Sequence, residues 1–437
     1  MPGTQMTRTM PTATPESVGL SSAGLRRIDG FLQGLIDKGE LAGAVTLVAR
    51  HGKTVHTNAM GKKDLATGEP LALDTIFRIF SMTKPVTGTA MMVLHDEGRW
   101  SPDDAIEKHL PEFKGVRVFD GMGPGGPKTV AANHPPTMRE LMTHSAGLSY
   151  GFNQEDPLDQ LYQAAQVWQS GSLAEFSRKL ASLPLAYQPG SKWLYSLSMD
   201  VQAAMIERLT GMSAPDFYRT RIFEPLGMVD TAFHTPPEKA ARRASLYRWS
   251  PTQSALVEAP NVLGQDHETP PAVANGGGGL VSTAADYARY AQMLLNGGEL
   301  DGVRVISAEA AKLQMTNHLS DALIHGGFGV GAQAIRPGFG YAFDGAVFMD
   351  PMAAGVPVGA GTYQWDGAAG TWFWVDPAHD LLFVGMIQLL SMVAPPIQKI
   401  TQTLMADAYV GESVPAGMKL NLPREWREKI EQMRATA

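Results

Sequence analysis

Cysteine is absent from this sequence, which removes disulfides, thiolate metal sites and a cysteine nucleophile from consideration at once. Long blocks of Lys or Arg are missing as well, and 36 basic against 43 acidic residues leave a formal charge of -7. Neutralising a phosphate backbone takes a concentrated basic surface, so no nucleic-acid partner is expected. The most apolar later stretch, residues 381–393, is broken by Gly385, Gln388 and Ser391 and followed by Pro395 and Pro396. That pattern predicts a buried strand running toward a helix and no membrane span. The eleven histidines show no H-E-x-x-H or comparable ligand spacing, so no metal is expected. Repeats at solenoid or propeller periods are also lacking.

What is present is a chain of 437 residues, 44% hydrophobic, enough for one large or two ordinary domains with a substantial core. Residues 1–15 are polar, rich in Thr and Pro, and lack the apolar stretch of a secretory signal. They predict a flexible leader, taken to residue 20, on a cytoplasmic protein. Leu25, Ile28, Leu32 and Leu35 place one apolar stripe on a helix over 22–38. Residues 43–50 and 54–58 flank His51-Gly52-Lys53 and read as an antiparallel hairpin. Helical patterns at 137–143, 173–182, 199–210 and 283–295 alternate with Pro- and Gly-rich connections, and strand signal there is thin. It returns at 329–335, 362–365, 371–375 and 381–387. Two strand-rich ends around a helical middle predict an α+β fold, with one sheet built from both termini and a helical lobe inserted. The expected partition is 21–100 with 300–437 as the α/β domain and 101–299 as the helical domain.

Ser81-Met82-Thr83-Lys84 follows an apolar run and precedes a helical pattern over 85–95, in which Pro85 suits the first turn. Ser81 is then expected at the helix N-terminus, with Lys84 on the same face and its amine in reach of the hydroxyl. Serine needs a base before it attacks, and a Lys pKa of ~10.4 has to fall for Lys84 to serve. S-x-x-K arises about once or twice by chance in a chain of this length, so the tetrapeptide decides nothing alone.

Around it the chain resembles the penicillin-recognising serine hydrolases of the class C β-lactamase type, and within them the family VIII carboxylesterases. The resemblance lies in five blocks, in family order: FRIFSMTKP (77–85), LMTHSAGL (141–148), YQPGSKWLYSLSMDV (187–201), NGGGGLVSTAADYARY (275–290) and GTYQWDG (361–367). It implies an α/β sandwich, its antiparallel sheet flanked by helices, with the active site between sheet and helical lobe. It further implies Ser81 as nucleophile, Lys84 as base and Tyr195 as either base or acid for the leaving alcohol. Trp365, Asp366 and Gly367 stand where the lactamases carry K-T-G and the esterases W-G-G. The Ala368 amide with that of Ser81 would form the oxyanion hole, and no cofactor is required. The alternative for Trp365 is a plain core aromatic.

Replacing K-T-G by Trp365 and Asp366 removes a cation and adds an anion, which disfavours a carboxylate-bearing lactam. Leu197 replaces an amide-bearing Asn and suits an acyl tail. Both changes point to small neutral esters, hydrolysed through an acyl-Ser81 intermediate. A β-lactamase, a D-amino-acid peptidase or an acyltransferase of the same fold is the alternative. Residues 147–151 also spell G-x-S-x-G around Ser149, and His325-Gly326-Gly327 matches an oxyanion motif, but an α/β-hydrolase elbow needs a strand before the serine where 137–143 reads helical. A non-catalytic binding module is the remaining reading, and Ser81, Lys84 and Tyr195 together argue against it.

Overall fold

Residues 43–50 read GAVTLVAR, small and β-branched with no polar alternation, and such a strand must be covered on both faces. In the computed structural model, which describes residues 8–259, 266–325, 328–330, 333–335, 337–390, 395–411 and 414–435, it is. The central sheet has seven strands: β1 (Gly43–Arg50), β2 (Lys53–Gly61), β3 (Phe339–Tyr341), β4 (Ala346–Phe348), β5 (Tyr363–Asp366), β6 (Trp372–Asp376) and β7 (Leu381–Met386). Their order is β3-β4-β5-β6-β7-β1-β2, every pair antiparallel. The register Val45 opposite Met386 through Arg50 opposite Leu381 joins the two ends of the chain in one sheet. His51 and Gly52 take φ of 53° and 70°, the left-handed pair that a two-residue hairpin turn requires.

One face of the sheet, carrying Ala44, Val48, Trp372, Trp374 and Phe383, packs on α1 (Ser22–Asp37) and on the helices Ile397–Ala406 and Arg424–Ala435. The other, carrying Val45, Leu47, Phe373, Val375 and Val384, packs on the helical body. That body contains α2 (Thr83–Asp96), α3 (Met138–Met142), α4 (Ser198–Thr210) and α5 (Ala284–Leu295). From Thr83 to Leu94, α2 is buried all round, as a helix with no polar face has to be. Thr137 and Glu140 close a capping box at α3, which fixes a helix of only five residues. Among the described residues no helix is long and apolar enough to cross a membrane.

Three expectations are corrected. Residues 8–20 of the expected flexible leader are packed: the Pro11 carbonyl accepts Thr54 N–H at 2.7 Å, Ala13 N–H donates to the Thr54 carbonyl at 3.0 Å, and Met10 and Leu20 are buried. Backbone pairing orders a segment whose side chains gave no such signal, while residues 1–7 lie outside the described residues. The expected strand 329–335 is two short ones, Phe328–Val330 and Gln333–Ile335, paired with each other apart from the main sheet; 331–332 lie outside the described residues, as do 391–394. The middle of the chain holds strands that its composition hid, a hairpin of Arg117–Gly123 with Gly126–Ala131 and another of Tyr247–Ser250 with Ala255–Glu258. The first is solvent-facing and glycine-rich, so no apolar alternation marks it.

Candidate active site

The turn bearing Ser81 is short and held from three sides. Phe80–Met82 form one 3-10 turn ahead of α2, so the α-helix proper starts at Thr83 and Ser81 sits in the turn before it. The Ile79 carbonyl accepts Met82 N–H at 3.0 Å and the Thr371 hydroxyl at 3.2 Å, while Ile79 N–H donates to the Leu280 carbonyl at 3.1 Å. Phe80 is left at φ 41°, a left-handed conformation that a bulky aromatic adopts only when its surroundings impose it.

Ser81 Oγ is the acceptor at the centre of the site. Lys84 Nζ donates to it at 3.0 Å from the next turn of helix, and the Tyr195 phenol donates at 2.7 Å from the loop before α4. Lys84 also donates to the Gly277 carbonyl at 2.6 Å, and its Nζ stands 4.5 Å from the Tyr195 ring centroid and 5.5 Å from that of Tyr150. The lysine is fully buried. Burial pushes its pKa down from 10.5 to about 7, against the opposing pull of the Asp200, Asp344 and Asp366 carboxylates. Desolvation moves the Tyr195 phenol the other way, well above its usual range, so it rests protonated and donating.

The structure thus brings Ser81, Lys84 and Tyr195 together. Of the strand residues, Trp365 is 7% exposed, with its ring centroid 5.9 Å from Tyr195 and 5.5 Å from Tyr341. Its indole N–H interacts with the Tyr195 phenol and stabilises the phenolate against the larger effect of burial. Trp365 and Asp366 continue two residues past the last β4–β5 pair, which opens the strand end toward Ser81. Gly367 is where this strand touches the Ser81 turn: a Cβ there would lie 2.3 Å from the Ile79 carbonyl, so only glycine fits. Ala368 follows at the surface, at the start of the reversal into β6. Asp366 is exposed and alternates to the face opposite Trp365, yet its charge acts on both Lys84 and Tyr195.

Leu197 is not brought to the site. At the start of α4 it is 1% exposed and packed in the helical core, so the expected acyl-tail contact is corrected: no surface remains for a substrate to touch. Ser149 is 3% exposed and donates to Asp159 at 2.5 Å, after the helix α3 and not after a strand. It has the surroundings of a turn serine; Gly326 and Gly327 lie outside the described residues.

Three groups at the site are given no role by the sequence blocks. Asp200, fully buried in the first turn of α4, accepts Gly277 N–H at 2.8 Å, and burial raises its pKa against the pull of Lys84. A lone carboxylate among Met199, Val201 and Ala203 was the available signal. Gly277 has to be glycine, since a Cβ would meet the Tyr150 hydroxyl at 2.7 Å and Asp200 Oδ2 at 2.9 Å. Asp344, buried after β3, stands against α2 at Gly88, one turn beyond Lys84, and accepts Gln202 Nε2 at 3.0 Å. Nothing in its local sequence marked it.

Comparison with known proteins adds to this geometry. A family profile described as Beta-lactamase matches residues 28–403. Protein Rv1367c of Mycobacterium tuberculosis is 38% identical over 355 residues, 80% of this chain and 87% of that protein. Esterase EstB of Burkholderia gladioli is 32% identical over 392 residues, 85% of this chain and 93% of its own length. Among solved structures, EstCE1, described as a hydrolase with promiscuous acyltransferase activity, superposes with a TM-score of 0.72 at 26% identity, over 89% of this chain and 99% of that one.

Proposed function

The chain belongs to the Beta-lactamase family, on the side of its family VIII esterases, and from that premise we propose that it is a serine carboxylesterase acting on small neutral esters through an acyl-Ser81 intermediate. One observation carries the reading: a single serine hydroxyl receives hydrogen bonds from a fully buried lysine and from a phenol.

Lys84 as free amine takes the Ser81 proton along the 3.0 Å line that joins them, and Oγ attacks the ester carbonyl. The carbonyl oxygen becomes an oxyanion held by the Ser81 and Ala368 amides, the second positioned by the contact of Gly367 with Ile79. As the tetrahedral intermediate collapses, the Tyr195 phenol gives its proton to the departing alcohol and is reprotonated from the Lys84 ammonium. Water then attacks the acyl-enzyme by the same route, giving the carboxylic acid and restoring Ser81. Lys84 returns to the free amine because burial disfavours its charge. Trp365 replaces a cation by a flat apolar wall and Asp366 adds negative charge, so substrates without a carboxylate are favoured.

Fluorophosphonate labelling with peptide mass spectrometry, joined to turnover of p-nitrophenyl butyrate, nitrocefin and a D-alanyl amide, tests this. Label on Ser81 with the butyrate fastest is the expected result. Label on Ser149, or nitrocefin fastest, overturns it. Butyryl transfer to added alcohol outrunning hydrolysis would move the assignment to acyltransferase, the activity in EstCE1's description.

A further inference from the structure

His144 takes no part in the steps above, yet it holds the chain on both sides of Tyr195. Its backbone carbonyl accepts Leu194 N–H at 2.9 Å. Its Nδ1 lies 3.2 Å from Ser196 N and 3.0 Å from Ser196 Oγ, and that hydroxyl continues to Ser198 Oγ at 2.8 Å. The ring packs 4.8 Å from the Tyr195 ring, with Trp193 at 5.4 Å and Tyr341 at 5.5 Å completing the enclosure. It is 1% exposed and sits at φ 57°, a conformation histidine tolerates better than most residues.

The hydrogen bonding sets the tautomer. A backbone N–H can only donate, so the Nδ1 that receives Ser196 N–H carries the lone pair and the ring proton is on Nε2. Burial, and then the nearby Lys84 charge, holds the ring pKa well below the usual histidine value, so the imidazole stays neutral. A charged ring would lose this acceptor.

We propose that His144 is a positioning residue for the reaction: its Nδ1 acceptor locks residues 194–196, so that the Tyr195 phenol stays on Ser81 Oγ. The inference rests on the role given to Tyr195 under the proposed function. It also makes a prediction that general loosening of the fold does not. If His144 acts through Tyr195, its loss should hurt most where Tyr195 is needed most, in protonating a poor leaving group.

The test compares ethyl butyrate, whose alkoxide leaves poorly, with p-nitrophenyl butyrate, whose phenolate needs no proton. His144→Asn keeps an acceptor near the Nδ1 position and suits the left-handed backbone; His144→Gln moves its amide outward and loses that acceptor. The Asn variant is expected within about threefold of wild type on both esters. The Gln variant should lose at least about tenfold more kcat/KM on ethyl than on p-nitrophenyl butyrate, and the same selective loss should appear in Tyr195→Phe. Combining His144→Gln with Tyr195→Phe should add little to either alone. Equal losses of the Gln variant on both esters, multiplying losses in the double variant, or an Asn variant as impaired as Gln would overturn the assignment. Should His144→Gln not fold, His144→Phe, which keeps a ring and drops the acceptor, carries the same comparison. Wild type failing on both esters strikes the esterase reading, whereas wild-type turnover with unchanged leaving-group dependence in the Gln variant strikes only His144.

Discussion

Lys84 acts as a base only as the free amine, so kcat/KM should rise with pH through its pKa and level off above it. Burial favours the amine over the ammonium and does so against three carboxylates that pull the other way. Asp200 is the foremost of these. Asp200→Asn removes that negative charge while its side-chain oxygen can still accept Gly277 N–H, so the local backbone should hold. With the ammonium less favoured, the limb should move to lower pH, by about 1–2 units given that a nearby opposite charge shifts a pKa by about 1–3. Near pH 6 the variant should then retain a larger share of its plateau rate than wild type does. The plateau itself should fall, because a less basic amine takes the Ser81 proton less readily. Steady-state kcat/KM on p-nitrophenyl butyrate between pH 5 and 9, with thermal melting to verify the fold, measures both. A limb that stays in place or moves to higher pH in a folded variant refutes the electrostatic account of Lys84.

Gly367→Ala forces a Cβ to 2.3 Å from the Ile79 carbonyl; the displaced strand should cost one oxyanion donor, about 2.7–4 kcal/mol of barrier, read as a roughly hundredfold or larger fall in kcat with KM little changed. Trp365→Lys returns the cation of K-T-G to its own position and should raise kcat/KM on nitrocefin relative to p-nitrophenyl butyrate by about tenfold or more, some 1.4 kcal/mol; an unchanged ratio would show that Trp365 does not select substrate. Trp374, 1% exposed and stacked on Phe383 at 4.3 Å on the face away from Ser81, should cost about 3–5 kcal/mol in urea unfolding when replaced by Ala. Its turnover per folded molecule should match wild type.

How much of the fold and site is legible in the sequence depends on the distance in the chain over which each feature is decided. Ser81 and Lys84 are legible because helix geometry alone brings residues three apart together. The strands at 43–50, 371–375 and 381–387 are legible because a doubly covered strand leaves an unbroken apolar run. Tyr195 is legible only through resemblance, since nothing local joins it to Ser81. Leu197 misleads because its side-chain type is plain but its direction is not: the start of α4 turns it into the core. The packed stretch 8–20 misleads for the opposite reason, being held largely by backbone hydrogen bonds that polar side chains do not announce.

The same distinction separates the parts of the site. Side chains supply the reacting atoms, but main-chain groups decide where they stand: the Gly277 carbonyl on Lys84, the Gly277 amide on Asp200, the Ile79 carbonyl under Gly367 and the Leu194 and Ser196 amides on His144. Every residue has such groups, so no composition or periodicity singles them out. They leave one trace, a position where no side chain can be tolerated. Gly277 and Gly367 are such positions, each with less than 3 Å of room for a Cβ, and each falls inside a glycine-bearing block of the chain. A glycine in such a block is therefore better read as the mark of a close approach, by a backbone carbonyl at Gly367 and by the Tyr150 and Asp200 side chains at Gly277, than as a turn. The carbonyl of Gly277 in turn receives the Lys84 amine at 2.6 Å, which puts the lysine's second anchor on the main chain, where no side-chain substitution can remove it.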